Sequence, residues 1–221
     1  GATVVDSRVV DPFDPNRSWS VEALRGTDGL RRWTNDDVVP RPDDVFQERL
    51  YCIRWAKTVM RNGKPKLERR YAAPDAADLA REAQVLALLR ERFADWQREG
   101  FIPSKPIAGG YNTDQPIRER GWTHWHHLFT PRQLLIYGCY LSQGAVATSK
   151  EARVALLLKL GVQANWNSKL CIWNADKSKG PGSTEQTFAN QALNRLFNFG
   201  TLSYGLLQES LIKNFTYSTT T

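Results

Sequence analysis

The sequence lacks the glycine-rich loops that cradle nucleotides. Neither GxGxxG nor GxxxxGK[ST] occurs among its 15 glycines, which removes the dinucleotide-binding fingerprint and the P-loop as sources of chemistry. Cysteine is scarce: Cys52, Cys139 and Cys171 stand far apart and form no CxxC, so neither a zinc ribbon nor a disulfide framework is supported. A reducing, cytoplasmic setting is the simpler expectation. Asn16-Arg17-Ser18 and Asn214-Phe215-Thr216 fit the glycosylation pattern, but nothing else points to secretion. No apolar run approaches the roughly 20 residues of a membrane span, so no membrane partner is expected. Histidine is confined to His124, His126 and His127, all inside "GWTHWHHLFTPRQLL".

Cationic and aromatic residues, by contrast, are plentiful. The net charge is +7, the pI about 9.5, and there are 8 tryptophans in 221 residues. This balance favours anionic partners, nucleic acid above all. The charge is uneven. Residues 1–44 hold 6 basic and 9 acidic side chains, and residues 45–75 hold 8 and 3. Residues 76–127 balance, and residues 128–221 are again basic, 9 against 4.

The pattern along the chain predicts a mixed α+β fold, with a small β-rich N-terminal lobe at 1–75 and a mainly helical lobe at 76–221. "TVVDSRVV" is β-branched and strand-like, and prolines and glycines punctuate residues 12–42. "ERLYCIRWAKTVM" and "RNGKPKLERRYAA" read as a hairpin turning at Asn62-Gly63. A helix comes next, capped by Asp75 and stopped by Gly100, with Leu79, Leu86, Leu89, Phe93 and Trp96 on one face. Residues 100–120 read as a long Pro/Gly-rich connection. "FTPRQL" then carries several helix-start signals together. Thr130 is the N-cap, Pro131 the first helical residue and Gln133 the capping-box partner, with Phe129 and Leu134 spaced for a hydrophobic staple. A further helix begins near Ser149, with Val154, Leu157, Leu158 and Val162 as its expected core face. A last one is expected after Ser183, lined by Phe188, Ala192, Leu196 and Phe199 and ended by Gly200. Between these two lies "NWNSKLCIWNADKSKGPGS", read as a flexible basic loop. The chain opens at Gly1 without a methionine and stops at "NFTYSTTT", so a piece of a longer polypeptide is expected.

The histidine cluster admits four readings. Zinc needs three or four ligands, and a fourth has no obvious source here. A general base needs a nucleophile or an orienting carboxylate, and no hydrolase motif accompanies these residues. Alternatively, His126, His127 and Arg132 hold an anion at the helix N-terminus, where the dipole favours negative charge; the competing expectation for Arg132 is an Asp or Glu of the same chain. The fourth reading is structural: Trp122, Trp125 and Phe129 pack while the histidines hydrogen-bond around them.

The hairpin supplies the candidate DNA-binding residues Arg49, Arg54, Trp55, Lys57, Arg61, Lys64 and Lys66, with Arg132 added from the helix start. Cations mixed with aromatics on a two-stranded ribbon suit nucleic-acid contact, and the bland alternative is a solvated sheet face. The loop with Trp166, Lys169, Trp173, Lys177 and Lys179 is a weaker case. Asn190, Asn194 and Asn198 form an amide stripe that suits base contact or a polar packing face. "VVDPFDP" at 9–15 starts like a methyltransferase cofactor loop but lacks its glycines, and no [DN]PP[YFW] occurs. No metal site and no catalytic constellation is assigned.

Four stretches, "ERLYCIRW", "GWTHWHHLFTPRQLLIYG", "NSKLCIWN" and "TFANQALNRLFNFG", occur in this order and resemble the middle of the large bacterial and archaeal adenine-specific DNA methylases that carry a DUF1156 region and a zinc ribbon. The resemblance runs from Val9 to Phe215, and "LFTPRQLL" is its most distinctive block. The family signature then falls on His127, Phe129, Thr130, Pro131, Arg132, Gln133, Trp173, Gln191 and Asn198. In that family the cofactor loop lies before this region and the DPPY tetrapeptide after it; this chain matches neither, and the ribbon cysteines are missing. The resemblance implies S-adenosylmethionine as the cofactor of the full-length enzyme, none in this chain, and DNA plus the rest of the methylase as partners. It further implies a restriction-modification or phage-defence setting. From the residues alone, two alternatives stand beside it: a non-enzymatic nucleic-acid-binding or assembly module of a defence system, and a metal-dependent hydrolase built on the three histidines.

Overall fold

The computed structural model describes residues 3–6, 8–11, 13–20, 30–44, 46–111, 113–146, 149–171, 173–174 and 183–187. The fold is mixed α+β, with a β-rich N-terminal part, a mainly helical part after it and one short strand pair after the last described helix. In chain order the elements are β1 (Thr3–Val5), β2 (Arg8–Val10), β3 (Ser18–Ser20), β4 (Ile53–Arg61), β5 (Lys64–Ala72), α1 (Ala76–Arg98), α2 (Asp114–Arg120), a 3-10 turn at Trp125–Leu128, α3 (Pro131–Ala145), α4 (Lys150–Trp166), β6 (Trp173–Asn174) and β7 (Ser183–Thr184). The chain groups into two compact units, one of Gly1–Glu48 with Ser104–His127, the other of Arg49–Pro103 with Leu128–Thr221. A boundary at residue 75 therefore falls inside the second unit, because the hairpin groups with the helices that come after it.

In the first unit, β1, β2 and β3 form an antiparallel sheet in that order, with Val4 opposite Val9 and Val9 opposite Trp19. "TVVDSRVV" is thus two strands, because Asp6 takes a left-handed φ of 46° and turns the chain back. The expected open connection at 100–120 is corrected at its end: Asp114–Arg120 is helical. Gly121, at φ 73°, ends that helix, and a Cβ there would overlap the Arg31 carbonyl, so only glycine fits.

In the second unit, α1 starts where Asp75 caps it, accepting from the Asp78 N–H at 2.8 Å, while Asp78 accepts from the Asp75 N–H at 3.1 Å. Gly100 lies just past its end at φ 79°. Leu89, Phe93 and Trp96 are buried, but Leu79 is 50% exposed, so the core face is shorter than periodicity suggested. The Thr130 box also forms: Thr130 Oγ1 accepts from the Gln133 N–H at 3.4 Å, and Gln133 Oε1 accepts from the Thr130 N–H at 2.9 Å. Phe129 lies edge-on to Tyr137, ring centroids 5.7 Å apart. α1 packs on α3 where Gly138 faces the Trp96 ring, and a Cβ at Gly138 would overlap that ring. α3 packs on α4 through Gly144 and Leu156.

Two expectations fail in α4 and beyond. Ser149 caps α4, accepting from the Ala152 N–H at 3.0 Å, yet Val154, Leu157, Leu158 and Val162 are all exposed, while Leu160 and Gln163 are buried. Leucine is plentiful on every side of this helix, so the apolar pattern did not single out one face. Ser183 does not cap a helix: Ser183–Thr184 pairs antiparallel with Trp173–Asn174. The remainder of the expected last helix, including Phe188 and Gly200, lies outside the described residues.

The Trp96–Gly138 contact and the Thr130 cap are separable in equilibrium urea unfolding. Thr130→Ala is expected to lower stability by about 1 kcal/mol. Gly138→Val should cost about 3 kcal/mol by forcing the helices apart; a loss under about 0.5 kcal/mol would contradict this packing.

Candidate nucleic-acid interface

The β4–β5 hairpin turns at Asn62 (φ 52°) and Gly63 (φ 74°), both left-handed, as a type I′ turn requires. Asn and Gly are the residues that tolerate this at least cost. A two-residue loop fixes the register: Arg61 pairs with Lys64, and every pair back to Ile53 with Ala72 is set in turn. Side chains alternate between faces, so the register sorts them.

One face carries Trp55, Arg70, Lys57, Glu68, Val59, Lys66, Arg61 and Lys64. Five cations and one carboxylate make it strongly basic. Trp55 is 42% exposed at its base, and Lys57, Lys64 and Lys66 are exposed. Arg61 ion-pairs with Glu68, but the pair is largely solvated and worth little. The opposite face carries Arg54, Tyr71, Ala56, Arg69, Thr58, Leu67, Met60 and Pro65.

The structure thus gathers Trp55, Lys57, Arg61, Lys64 and Lys66 from the sequence candidates. Arg54 falls on the other face, beside Tyr71, and Arg49 is exposed before β4 begins. Arg70 belongs to the basic face and was missed. Counting outward from Asn62-Gly63 would have found it opposite Trp55. Arg132 sits elsewhere in the unit and is held by Glu82 of α1, its Nε donating at 2.9 Å. The Asp or Glu partner expected as the alternative for Arg132 is thus present, in a pair that stays partly solvated.

The weaker loop candidates divide. Lys169 is 2% exposed, and Asn167 and Ser168 are equally buried, so the first part of the expected flexible loop is packed. The Lys169 N–H donates to the Leu128 carbonyl at 2.7 Å, and Ser168 Oγ lies 2.8 Å from Thr187 Oγ1. Tyr137 is buried close by, which pushes its hydroxyl pKa up. Trp173 lies in β6, and its side chain, like all of Lys177, Lys179, Gln191 and the Asn190, Asn194, Asn198 stripe, lies outside the described residues.

Two of the three histidines are buried, and the His127 ring is held by backbone groups. His126 and His127 are 0% and 1% exposed. His127 Nδ1 accepts from the Thr123 and His124 N–H groups at 3.1 and 3.2 Å, and Nε2 lies 3.0 Å from the Thr34 carbonyl. Those contacts require a neutral ring protonated at Nε2. Trp33 stacks edge-on to His127 and to Trp122, at 5.1 and 6.3 Å. Among the described residues no three His, Cys, Asp or Glu are grouped to hold a metal ion. All three cysteines are free thiols.

A second cluster, unseen in the sequence, fixes the 31–44 segment. Arg31 grips Asp44 with two nitrogens at 2.7 Å and reaches Asp37 at 2.6 Å, while Arg41 Nε donates to Asp37 at 2.9 Å. Asp37 also accepts from the Thr34 N–H at 2.6 Å. Burial pushes the Asp37 carboxyl up, but the bonds from Arg31, Thr34 and Arg41 outweigh it and hold the pKa at about 2. Asp44 is lowered chiefly by its bond to Arg31, and Arg31 is raised chiefly by the same bond. The acidic excess of residues 1–44, which spacing alone did not explain, is partly spent here on internal pairing.

No family model, no curated protein and no solved structure matches this chain.

The Asp37 cluster sets an acid limit. A carboxyl depressed from 3.8 to about 2 contributes stability that is full above about pH 4 and is lost as pH falls from there through 2. Asp37→Asn should cost about 2 kcal/mol at pH 7 and flatten the pH dependence between 4 and 2. Identical acid-unfolding profiles for the two proteins, monitored by tryptophan fluorescence, would show that the cluster is not coupled to folding.

Proposed function

We propose that this chain is the DNA-recognition or scaffold portion of an S-adenosylmethionine-dependent adenine-specific (N6) DNA methyltransferase, without the catalytic motifs itself. The observation that carries the DNA-contacting part is the basic face of the ribbon. Arg70, Lys57, Lys66 and Lys64 project on one side of an extended arm with Trp55 at its base. Such a face neutralises phosphates and releases their counterions, and an exposed indole offers a stacking surface. The sequence resemblance supplies the enzyme class. Removing an adenine from the stack for methylation calls for contacts along the flanking duplex, which a ribbon provides.

The cofactor that this reading implies does not fit the residues present. "VVDPFDP" runs from β2, which pairs antiparallel on both sides, into a turn closed by its own carboxylates. Asp11 accepts from the Phe13 N–H at 2.9 Å and Asp14 from the Asn16 N–H at 3.0 Å. That arrangement has no glycine loop entering a helix, so in this reading S-adenosylmethionine and the catalytic tetrapeptide belong to the remainder of the polypeptide. No helix among the described residues is long and apolar enough to cross a membrane.

Fluorescence anisotropy with a labelled duplex across a salt series tests the DNA contact. Lys57→Ala and Lys66→Ala should each weaken binding regardless of DNA sequence and reduce the log–log salt slope by about one. Arg132→Ala should leave affinity unchanged, because Glu82 already holds that side chain. Absence of binding at low salt would end the recognition role.

A further inference from the structure

The face of the ribbon that the phosphates do not explain is apolar at its tip. Met60 is 67% exposed and Leu67 41% exposed, and Pro65, the cross-strand partner of Met60, is exposed as well. Nothing in folding favours placing Met, Pro and Leu together in water at the end of an arm. Counting from the two-residue turn, Met60 and Pro65 occupy a non-hydrogen-bonded pair. The missing Pro65 N–H therefore costs no ladder bond, and the two side chains stand at the closer of the two cross-strand spacings. Thr58 and Leu67 form the next such pair on the same face. The result is a narrow apolar edge at the arm's end.

Charge says what it meets. Arg61 and Lys64 bracket the turn, and Lys66 lies close behind, all within the last three rungs but on the face opposite Met60, Pro65 and Leu67. A tip with cations on its other face is drawn to a polyanion, and lysine and arginine stems are long enough to carry charge past a strand edge. Two-stranded arms lie in DNA grooves, and Met, Leu and Pro are among the side chains that wedge between base steps from the minor groove.

We propose that the ribbon tip is a minor-groove wedge: Met60 and Pro65, backed by Leu67, insert at a base step of duplex DNA and kink it, while Arg61, Lys64 and Lys66 hold the phosphates on either side. The proposal rests on the ribbon contacting duplex DNA. It assigns the tip a task distinct from that contact, namely deforming DNA rather than only holding it. Flexible TA and CA/TG steps are then preferred sites, because they cost least to unstack.

The experiment uses the whole chain and a duplex with one central TA step. 2-Aminopurine replaces the adenine of that step to report unstacking, and dyes at the two ends report bending by energy transfer. Met60→Ser and Leu67→Ser are the test variants; both side chains are exposed, and circular dichroism checks that each variant is folded. Lys64→Ala is the charge control. The wild-type chain should raise 2-aminopurine emission severalfold and bring the ends together. The serine variants should lose both signals while keeping the salt slope and an affinity within about tenfold. Lys64→Ala should weaken binding and lower the slope by about one. Tight wild-type binding with neither signal would overturn the wedge and leave the DNA-contact reading standing. No wild-type binding at low salt would remove that reading, and the wedge with it. Serine variants that bend DNA as the wild type does, or that turn a wild-type dimer into a monomer in light scattering, would also overturn the wedge; the second outcome would assign the apolar edge to self-association.

Discussion

The register imposed by Asn62 and Gly63 is the constraint on which the candidate interface depends. A two-residue turn with both φ values positive matches the right-handed twist of its strands and permits one pairing. A slip of one residue in β5 would turn its side chains over, put Lys64 and Lys66 beside Met60 and Leu67 beside Lys57 and Arg61, and leave neither a basic nor an apolar tip. The separation of Arg61, Lys64 and Lys66 from Met60, Pro65 and Leu67 at the tip is thus a consequence of backbone geometry at two residues. A lone hairpin is marginal in water, so nine-residue strands with exposed faces suit an arm that contacts a partner.

The helical part is governed differently. Its close approach is set at Gly138, where the absence of a side chain admits the Trp96 ring. A tryptophan buries a large apolar area only if something small faces it. The Thr130 box fixes where α3 starts and hence which residue meets Trp96. Arg132, in the first turn, opposes the helix dipole, and Glu82 supplies the carboxylate that offsets it. In the "LFTPRQLL" block capping, packing and one ion pair are present, and just before it the His127 ring is held by hydrogen bonds to backbone.

Local signals were legible in the sequence. Asp75, Thr130 and Ser149 cap as their spacing indicated, and Asn62-Gly63 turns as its dipeptide indicated, because each device acts within four residues. Failures arose where partners are distant or where the pattern was even-handed. Helix α4 has leucines on all sides, so which face is buried depended on α3 and not on periodicity. Ser183 has capping-box spacing, yet the strand pairing with Trp173–Asn174 prevailed. Asp114–Arg120 was concealed by its proline, which the first turn of a helix accommodates without loss.

The sequence by itself determined the ribbon, its turn, the helix starts and the basic balance, since these arise from backbone preferences and charge that need no distant neighbour. Only the tertiary structure decided that Lys169, His126 and His127 are buried, that Arg132 pairs with Glu82, and that Arg31 gathers Asp37 and Asp44. Each of these depends on which groups the folded chain brings within hydrogen-bonding distance. That distance is a few ångströms in space, and in sequence it spans anything from 3 residues for Thr34 and Asp37 to 93 for Thr34 and His127.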